Sequence, residues 1–174
     1  MKKLIECVPN FSEGNDMHII DQITAEIKAV EGVSLIDVDP GKATNRTVVT
    51  MVGTPEEVCE AAFRAVKKAS ELIDMKKHKG AHPRFGATDV CPLVPVSNIT
   101  MEETVEYARA LAKRIGEELN IPVYCYESAA FTPERRNLAT CRAGEYEALG
   151  ERLSSEQWHP DFGPEERHPT AGTV

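Results

Sequence analysis

Residues 33–53 read V-S-L-I-D-V-D-P-G-K-A-T-N-R-T-V-V-T-M-V-G, and this stretch decides the fold. Two apolar, β-branched runs, at residues 33–38 and 46–53, flank the segment D-P-G-K-A-T-N. β-Branched residues favour strands, and a cluster of Asp, Pro, Gly and Asn between two such runs is typical of a turn. We therefore predict a β-hairpin whose strands are connected by a turn at residues 39–45.

The segment before the hairpin predicts one strand and one helix. Residues 4–9 form a short, mainly apolar run, which the turn-forming residues 10–14 close. Apolar side chains then recur at helical spacing from Ile19 to Val30, and Gly32 is placed to end the helix. A strand and a helix therefore precede the hairpin.

The segment after the hairpin predicts a helix followed by a strand. Thr54, Pro55 and Glu57 have the spacing of a capping box with proline at the first helical position, and the helix should end near residue 74. Residues 88–96 predict a fourth strand, whose two prolines favour an edge position. The order βαββαβ indicates an α+β fold, a ferredoxin-like sandwich with a mostly antiparallel sheet and helices on one face.

Further elements extend this unit. A second capping-box sequence starts at Thr100 and opens a third helix, residues 121–126 predict an additional strand, and residues 145–153 predict a short helix. Beyond these elements the apolar periodicity stops and prolines are frequent. We therefore assign residues 1–153 to one domain and residues 154–174 to a linker, which either leads to a following domain or is a binding segment.

The composition excludes several classes of protein. Of the 174 residues 41% are hydrophobic and 28% charged, and the longest apolar runs are strand-sized, which predicts a soluble, cytoplasmic protein without a membrane span. A net charge of −8 disfavours nucleic acids and anionic membranes as partners, because their binding requires clustered Lys and Arg. The five cysteines are an odd number without C-x-x-C spacing, which predicts neither a disulfide framework nor a thiolate zinc site.

The charge is unevenly distributed, since residues 76–84, K-K-H-K-G-A-H-P-R, contain four basic residues and no acidic one. Its lysines are also explained by the preceding helix, whose C-terminal end favours cations. His82 in this segment is a surface or structural histidine, a metal ligand together with His78, or a general acid/base. The metal is disfavoured, because zinc sites need three or four ligands.

Five stretches of the chain resemble the formiminotransferase family, and they occur in the family's order. They are residues 5–14 (I-E-C-V-P-N-F-S-E-G), 37–47 with D-V-D-P-G and T-N-R-T, 78–95 (H-K-G-A-H-P-R-F-G-A-T-D-V-C-P-L-V-P), 142–149 (R-A-G-E-Y-E-A-L) and 158–164 (W-H-P-D-F-G-P). Several long collinear motifs are far more specific than one short pattern. The whole chain is similar to the N-terminal subdomain of this family.

The resemblance implies a transferase of histidine degradation, which moves the formimidoyl group of N-formimidoyl-L-glutamate to N5 of the co-substrate tetrahydrofolate and uses no metal. It also implies a ferredoxin-like subdomain and a C-terminal subdomain that completes the folate cleft. The catalytic histidine of the family falls on His82. Its folate-contacting residues fall on Gly163, Pro164, Glu165, Glu166, Arg167, His168, Pro169, Thr170, Ala171 and Gly172.

Other polar residues suit this chemistry. The departing glutamate nitrogen needs a proton, which one acid/base residue such as His82 supplies. Arg46 and Arg84 are candidates for binding the substrate's carboxylates, because guanidinium groups form bidentate pairs with them. Asp39 either orients the imidazole, or stabilises the amidinium, or is an ordinary turn aspartate. The loop at residues 10–14 either receives an anion or is an ordinary turn.

The chain stops at Val174, before the second subdomain that the resemblance implies. It is therefore an isolated piece, one product of a split gene or a stand-alone relative. We expect it to fold alone, to be a poor enzyme by itself and to form a homo-oligomer through the uncovered surface. The alternative is a non-catalytic module that binds folate or dimerises. RNA binding is disfavoured by the acidic charge and by the lack of an aromatic strand motif.

Overall fold

The structure is a computed structural model that describes residues 1–81 and 84–174. The strands are β1 (Leu4–Cys7), β2 (Asn10–Phe11), β3 (Ser34–Gly41), β4 (Arg46–Gly53), β5 (Thr88–Val90) and β6 (Leu93–Ser97). The helices are α1 (Met17–Lys28), α2 (Pro55–Leu72), α3 (Met101–Leu119), α4 (Leu138–Cys141) and α5 (Leu149–Leu153). Short 3₁₀ turns lie at Glu127–Ala129, Pro133–Arg135 and Tyr146–Ala148.

β4 is the centre of a six-stranded antiparallel sheet. One edge of β4 pairs with β3, and its other edge pairs with β1 and then with β2. β6 continues the sheet beyond β1, and β5 continues it beyond β2, so the predicted fourth strand lies at the edge and is divided at residues 91–92. The predicted hairpin is therefore confirmed as β3–β4, and the α+β class is confirmed as well.

Two predicted turns are shorter than expected. β3 extends to Gly41, so that Asp39 pairs with Val48 instead of lying in the turn. Residues 10–11 likewise form β2, which pairs with β4 on one side and β5 on the other. In both places the neighbouring strand offers free backbone N–H and C=O groups, and pairing with them outweighs the turn preference of the side chains.

The additional strand predicted at residues 121–126 is wrong. A single bridge forms there, in which the Val123 N–H donates to the Phe162 carbonyl over 2.9 Å. Pro122 has no N–H with which to continue the pairing. After the bridge, Glu127 takes a positive φ of 50° and turns the chain. This segment is therefore an irregular connection rather than a strand.

The capping predictions are right at α3 and only half right at α2. The Thr100 hydroxyl accepts from the Glu103 N–H over 3.1 Å, and the Glu103 carboxylate accepts from the Thr100 N–H, which completes the capping box. At α2 the Thr54 hydroxyl donates to the Glu57 carboxylate over 2.7 Å, and no side chain caps the helix backbone. Both helices nevertheless begin at the predicted positions.

The core lies between one face of the sheet and the three long helices. α2 is the central helix, against which α1 and α3 each pack. Its buried face is made largely of small residues, which lets the helix approach the sheet closely: Ala61, Ala62, Ala65 and Ala69. Val49 and Met51 of β4 point into this core. Because successive strand residues alternate between faces, Arg46 and Val48 lie on the open face of the sheet. Within the described residues, no helix is long and apolar enough to cross a membrane.

Residues 171–174, at the end of the predicted linker and folate-contacting segment 154–174, are all buried. The Ala87 N–H donates to the Ala171 carbonyl over 2.9 Å, and Gly172 forms a bridge with Gly86. These backbone bonds attach residues 171–174 to the chain just before β5. They are therefore a structural part of the domain.

Candidate active site

Three loops meet at Asn45, at one end of the open sheet face. Asn45 adopts a positive φ of 50°. Its side-chain oxygen accepts from the Gly14 N–H and from the Asn15 amide, both over 2.9 Å, and its own amide donates to the Lys79 carbonyl over 2.9 Å. The loop after β2, the β3–β4 turn and the basic loop after α2 are therefore joined through one side chain.

Two glycines allow these loops to come together. A Cβ at Gly14 would lie 2.1 Å from the Gly41 carbonyl oxygen, and a Cβ at Gly80 would lie 2.2 Å from the Thr44 carbonyl oxygen. Both contacts are with backbone, which cannot move aside as the end of a side chain can. The close approach of the loops therefore requires glycine at these two positions.

His82, the predicted catalytic residue, lies with Pro83 outside the described residues. The residues on either side of this pair are held by hydrogen bonds. The Ala81 N–H donates to the Ala43 carbonyl over 3.2 Å, and the Arg84 N–H donates to the Glu145 carboxylate over 3.2 Å. Ala81 and Arg84, the described residues on either side of the pair, are therefore both attached to the fold.

His78 is buried and has a structural role. Its Nδ1 accepts from Arg84 Nε over 3.2 Å, and its Nε2 lies 2.9 Å from the Asn45 carbonyl oxygen. A guanidinium group only donates, so Nδ1 is unprotonated and the Nε2–H donates to Asn45. Both ring nitrogens are thus used within the fold. Among the described residues, moreover, no group of three or more His, Cys, Asp and Glu side chains is arranged to hold a metal ion.

Arg84, a predicted carboxylate ligand, is paired with two carboxylates of its own chain. Its Nη1 lies 3.1 Å from Glu145 Oε1 and 3.0 Å from Glu147 Oε2, and its Nη2 lies 2.8 Å from Glu147 Oε1. The hydrogen bond from Arg84 lowers the pKa of Glu147, and the same bond raises the pKa of Arg84. Both groups are therefore charged at neutral pH.

Glu145 has a strained backbone, with φ 55° and ψ −157°, a region of conformational space largely restricted to glycine. Its N–H donates to the Arg142 carbonyl over 2.8 Å, and its carboxylate accepts from both the backbone and the side chain of Arg84. These bonds hold the strained conformation. Strain of this kind is concentrated at functional sites.

Arg46, the other predicted carboxylate ligand, is paired with the buried Asp89. Arg46 Nη1 lies 2.7 Å from Asp89 Oδ2, and Arg142 Nη1 lies 2.6 Å from the same oxygen. Asp89 Oδ1 accepts from the Phe85 N–H over 2.7 Å. Arg46 Nε donates to the Asn10 side chain over 2.9 Å. A single carboxylate therefore positions two guanidinium groups and the start of the segment that leads into β5.

This cluster of Arg46, Asp89 and Arg142 retains one unit of positive charge, because two guanidinium groups share one carboxylate. The Nε of Arg142 is buried and finds no hydrogen-bond partner among the described residues. Sequence analysis did not identify Asp89 or Arg142 as site residues. The available signal was a carboxylate within an otherwise apolar strand, where a charge requires a partner.

Asp39 is exposed and lies on the same sheet face as Arg46. It pairs with Val48, and Val48 also pairs with Asn10, the residue that accepts from Arg46. Directly paired residues point to the same face, and adjacent strands are about 4.8 Å apart. Asp39 on β3 and Asn10 on β2 therefore lie on the open face on either side of β4. Asp39 is thus a strand residue and not the turn residue that the sequence D-P-G predicts.

The predicted folate stretch, residues 163–172, reaches this end of the molecule through Arg167. The Arg167 guanidinium lies over the Tyr146 ring, 4.6 Å from its centroid, and Nη1 donates to the Tyr146 carbonyl over 3.2 Å. The Tyr146 N–H in turn donates to the Arg84 carbonyl over 2.9 Å. The stretch and the basic loop are thus attached to the same short turn.

His168, in the same stretch, closes a tight loop. Its Nδ1 accepts from the Thr170 N–H over 3.2 Å and from the Ala171 N–H over 3.1 Å. Partial burial of the ring lowers the pKa of His168. Protonation of Nδ1 would break both bonds, so the folded protein favours the neutral ring.

The free energy of unfolding is therefore expected to fall as the pH drops below about 6.5, the unfolded value, because the unfolded chain then binds a proton that folded His168 resists. Above that pH both states are neutral and the difference vanishes. His168→Asn keeps a side-chain acceptor and should remove this part of the pH dependence in urea denaturation. The matched control, His18→Asn at an exposed position of α1, should retain it. An unchanged pH slope in His168→Asn would contradict the assignment.

A cavity of about 350 Å³ lies elsewhere, between the β5–β6 edge and α3. Its lining is mainly apolar, and burial raises the pKa of its Cys125 thiol to about 12. A mainly apolar lining does not suit a substrate with two carboxylates. The loops around Asn45 are therefore the better candidate for the active site.

Comparison with known proteins identifies the family to which the chain belongs. Residues 4–174 match the family model described as "Formiminotransferase domain, N-terminal subdomain". The chain is 51% identical over 174 residues to glutamate formimidoyltransferase of Streptococcus pyogenes serotype M1, covering 100% of the chain and 58% of that protein. It is 56% identical over 174 residues to formimidoyltransferase-cyclodeaminase of Mus musculus, covering 100% of the chain and 32% of that protein. The chain thus spans between about a third and somewhat more than half of these relatives.

Proposed function

Because the chain belongs to the formiminotransferase domain family, in which it corresponds to the N-terminal subdomain, we propose that it is the catalytic half of a glutamate formimidoyltransferase. The enzyme would transfer the formimidoyl group of N-formimidoyl-L-glutamate to N5 of tetrahydrofolate, a step in histidine degradation. The observation that carries this proposal is the match, over the entire chain, to a relative of that name. The segment 76–84, with four basic residues and no acidic one, supports it, because the substrate is an anion.

The reaction forms one bond, breaks one bond and moves two protons. N5 of tetrahydrofolate attacks the amidine carbon, forms the new C–N bond and loses its proton. The tetrahedral adduct then releases the glutamate nitrogen, which accepts a proton as the second C–N bond breaks. We assign both proton transfers to His82, because a neutral imidazole accepts the first proton and the resulting imidazolium donates the second.

The substrate's carboxylates are assigned to Arg46 and Arg84. The cluster around Asp89 supports the role of Arg46, because the Asp89 carboxylate holds that guanidinium in place. Arg84 already binds carboxylates in the geometry that a substrate carboxylate would take. Asp39 shares the sheet face of Arg46, where it would stabilise the amidinium or orient His82.

Tetrahydrofolate is assigned to residues 163–172, as the resemblance implies. Attachment of Arg167 to Tyr146, and of Tyr146 to Arg84, supports this assignment, because it puts the stretch beside the basic loop. We further propose that a C-terminal subdomain completes the folate cleft and that the enzyme is a homo-oligomer. Relatives that extend well beyond the matched region support the first of these.

Residues 1–174 alone are therefore expected to show little or no transfer, because in this proposal a C-terminal subdomain supplies the other part of the folate cleft. The chain is assayed alone and after addition of a separately produced C-terminal subdomain from a relative. Release of glutamate and the mass of the folate product report the reaction. Transfer that appears only with both halves supports the proposal. Full turnover by the isolated chain would show that one subdomain suffices, and no transfer under either condition would contradict the proposed activity.

A further inference from the structure

The outer edge of Arg84 is occupied by an exposed carboxylate. Glu147 pairs with both terminal nitrogens of the guanidinium group, Oε2 with Nη1 over 3.0 Å and Oε1 with Nη2 over 2.8 Å. The Arg84 side chain is only 13% exposed, whereas the Glu147 side chain is 65% exposed. A largely buried cation therefore presents one bidentate edge to the surface, and Glu147 covers that edge from the solvent side.

The remaining contacts of Arg84 do not depend on Glu147. Its Nε donates to His78 Nδ1, and both its backbone N–H and its Nη1 donate to Glu145. His78 is itself fixed by Asn45. If Glu147 moved away, these contacts would still orient the guanidinium group, and the Nη1–Nη2 edge would be open to another carboxylate.

Exchange of Glu147 for a ligand requires little free energy. A ligand carboxylate would form with Arg84 the same bidentate pair that Glu147 gives up, and water and salt screen the exposed partner in both cases. Glu147 lies on the short turn Tyr146–Ala148, and its side chain contacts Arg84 and its own backbone. Arg167 contributes further positive charge near Glu147.

We propose that Glu147 is a placeholder: its carboxylate occupies the Arg84 edge in the empty protein, and a carboxylate of a glutamate-type ligand displaces it. The inference rests on the proposed function, in which the donor substrate is itself a glutamate derivative with the same carboxylate chemistry. Two ligands carry such a carboxylate, N-formimidoyl-L-glutamate and the glutamate tail of tetrahydrofolate. Glu147 thereby sets the apparent affinity of the site and rejects ligands that bind guanidinium less well than a carboxylate does.

Glu147→Gln in the complete enzyme tests the placeholder, because the amide keeps the size of the side chain and removes the competing charge. We expect the KM for one of the two ligands to fall about two- to fivefold, with little change in kcat, and the difference to shrink at high salt. A lower KM for N-formimidoyl-L-glutamate would identify this donor as the ligand that displaces Glu147. A lower KM for tetrahydrofolate would identify the glutamate tail of the folate, provided that the KM for tetrahydropteroate, which lacks this tail, does not change. Glu151→Gln is the matched control, an exposed glutamate on α5 with the same change of charge.

A binding measurement separates this inference from the proposed function. L-Glutamate is titrated into Glu147→Gln and Glu151→Gln and followed by calorimetry, whether or not the protein transfers a formimidoyl group. Tighter binding of L-glutamate to Glu147→Gln than to Glu151→Gln supports displacement. If the double variant of Glu147→Gln with Arg84→Lys loses this increase in affinity, the ligand binds at the bidentate edge of Arg84. Equal binding of L-glutamate by the two single variants, together with unchanged KM values, would overturn the placeholder.

Discussion

Replacing His82 by alanine in the complete enzyme is expected to lower turnover about 10²- to 10⁴-fold, the usual contribution of general acid/base catalysis. The affinity for reduced folate should change little, because the folate contacts are assigned to residues 163–172. Steady-state kinetics and calorimetric titration with folate measure the two quantities separately. Added imidazole should restore part of the lost turnover if the missing group is a proton carrier.

His78→Asn is the informative control, since His78 lies in the same loop and the structure gives it a structural role. It should lower the unfolding temperature through loss of its contact with Arg84 or Asn45, and imidazole should not restore its activity. Near-normal turnover of His82→Ala would show that another group moves the protons.

Replacing Asp89 by alanine is expected to cost about 3–5 kcal/mol of unfolding free energy, the usual effect of breaking a buried ion pair from one side. The side chain of Asp89 is completely buried, and its loss leaves the guanidinium groups of Arg46 and Arg142 without their shared carboxylate. The Phe85 N–H loses its acceptor as well. Urea denaturation followed by circular dichroism measures the change.

Two variants accompany this measurement. Asp89→Asn keeps an acceptor for Phe85 and removes only the charge, so it should lose less stability than the alanine variant. Asp21→Ala, on the exposed side of α1, removes a carboxylate without a buried partner and should change stability by no more than about 0.5 kcal/mol. If Asp89→Ala and Asp21→Ala had similar stabilities, the buried cluster would not hold the fold together.

The elements that local chemistry determines were predictable. β4 spans the predicted residues, and α3 starts at the predicted capping box, because β-branched runs and caps act over a few residues. The ends of β3 and the existence of β2 depend on pairing with β4. The missing strand at residues 121–126 likewise reflects the absence of a neighbour that continues the ladder. Sequence periodicity does not contain that information.

The basic residues of the candidate site were predictable from the sequence, whereas the carboxylates that pair with them were not. The basic loop, Arg46 and Arg84 stand out as carboxylate-binding chemistry. The carboxylates that hold them are distant in sequence, since Asp89 lies 43 residues from Arg46 and Glu147 lies 63 residues from Arg84. The motif R-A-G-E-Y-E-A-L marked the resemblance to a family, and only the fold shows that its charged residues contact the loops of the site.

The convergence of three loops on Asn45 also bears on how the protein can change during evolution. Surface loops normally tolerate insertions and deletions one at a time, because each loop moves independently of the others. Here the loop after β2, the β3–β4 turn and the basic loop share one amide side chain as their hydrogen-bonding centre. An insertion or deletion in any one of these loops would therefore displace the other two. Among homologues that keep the function, we expect the three loops to change in length together or to keep their lengths.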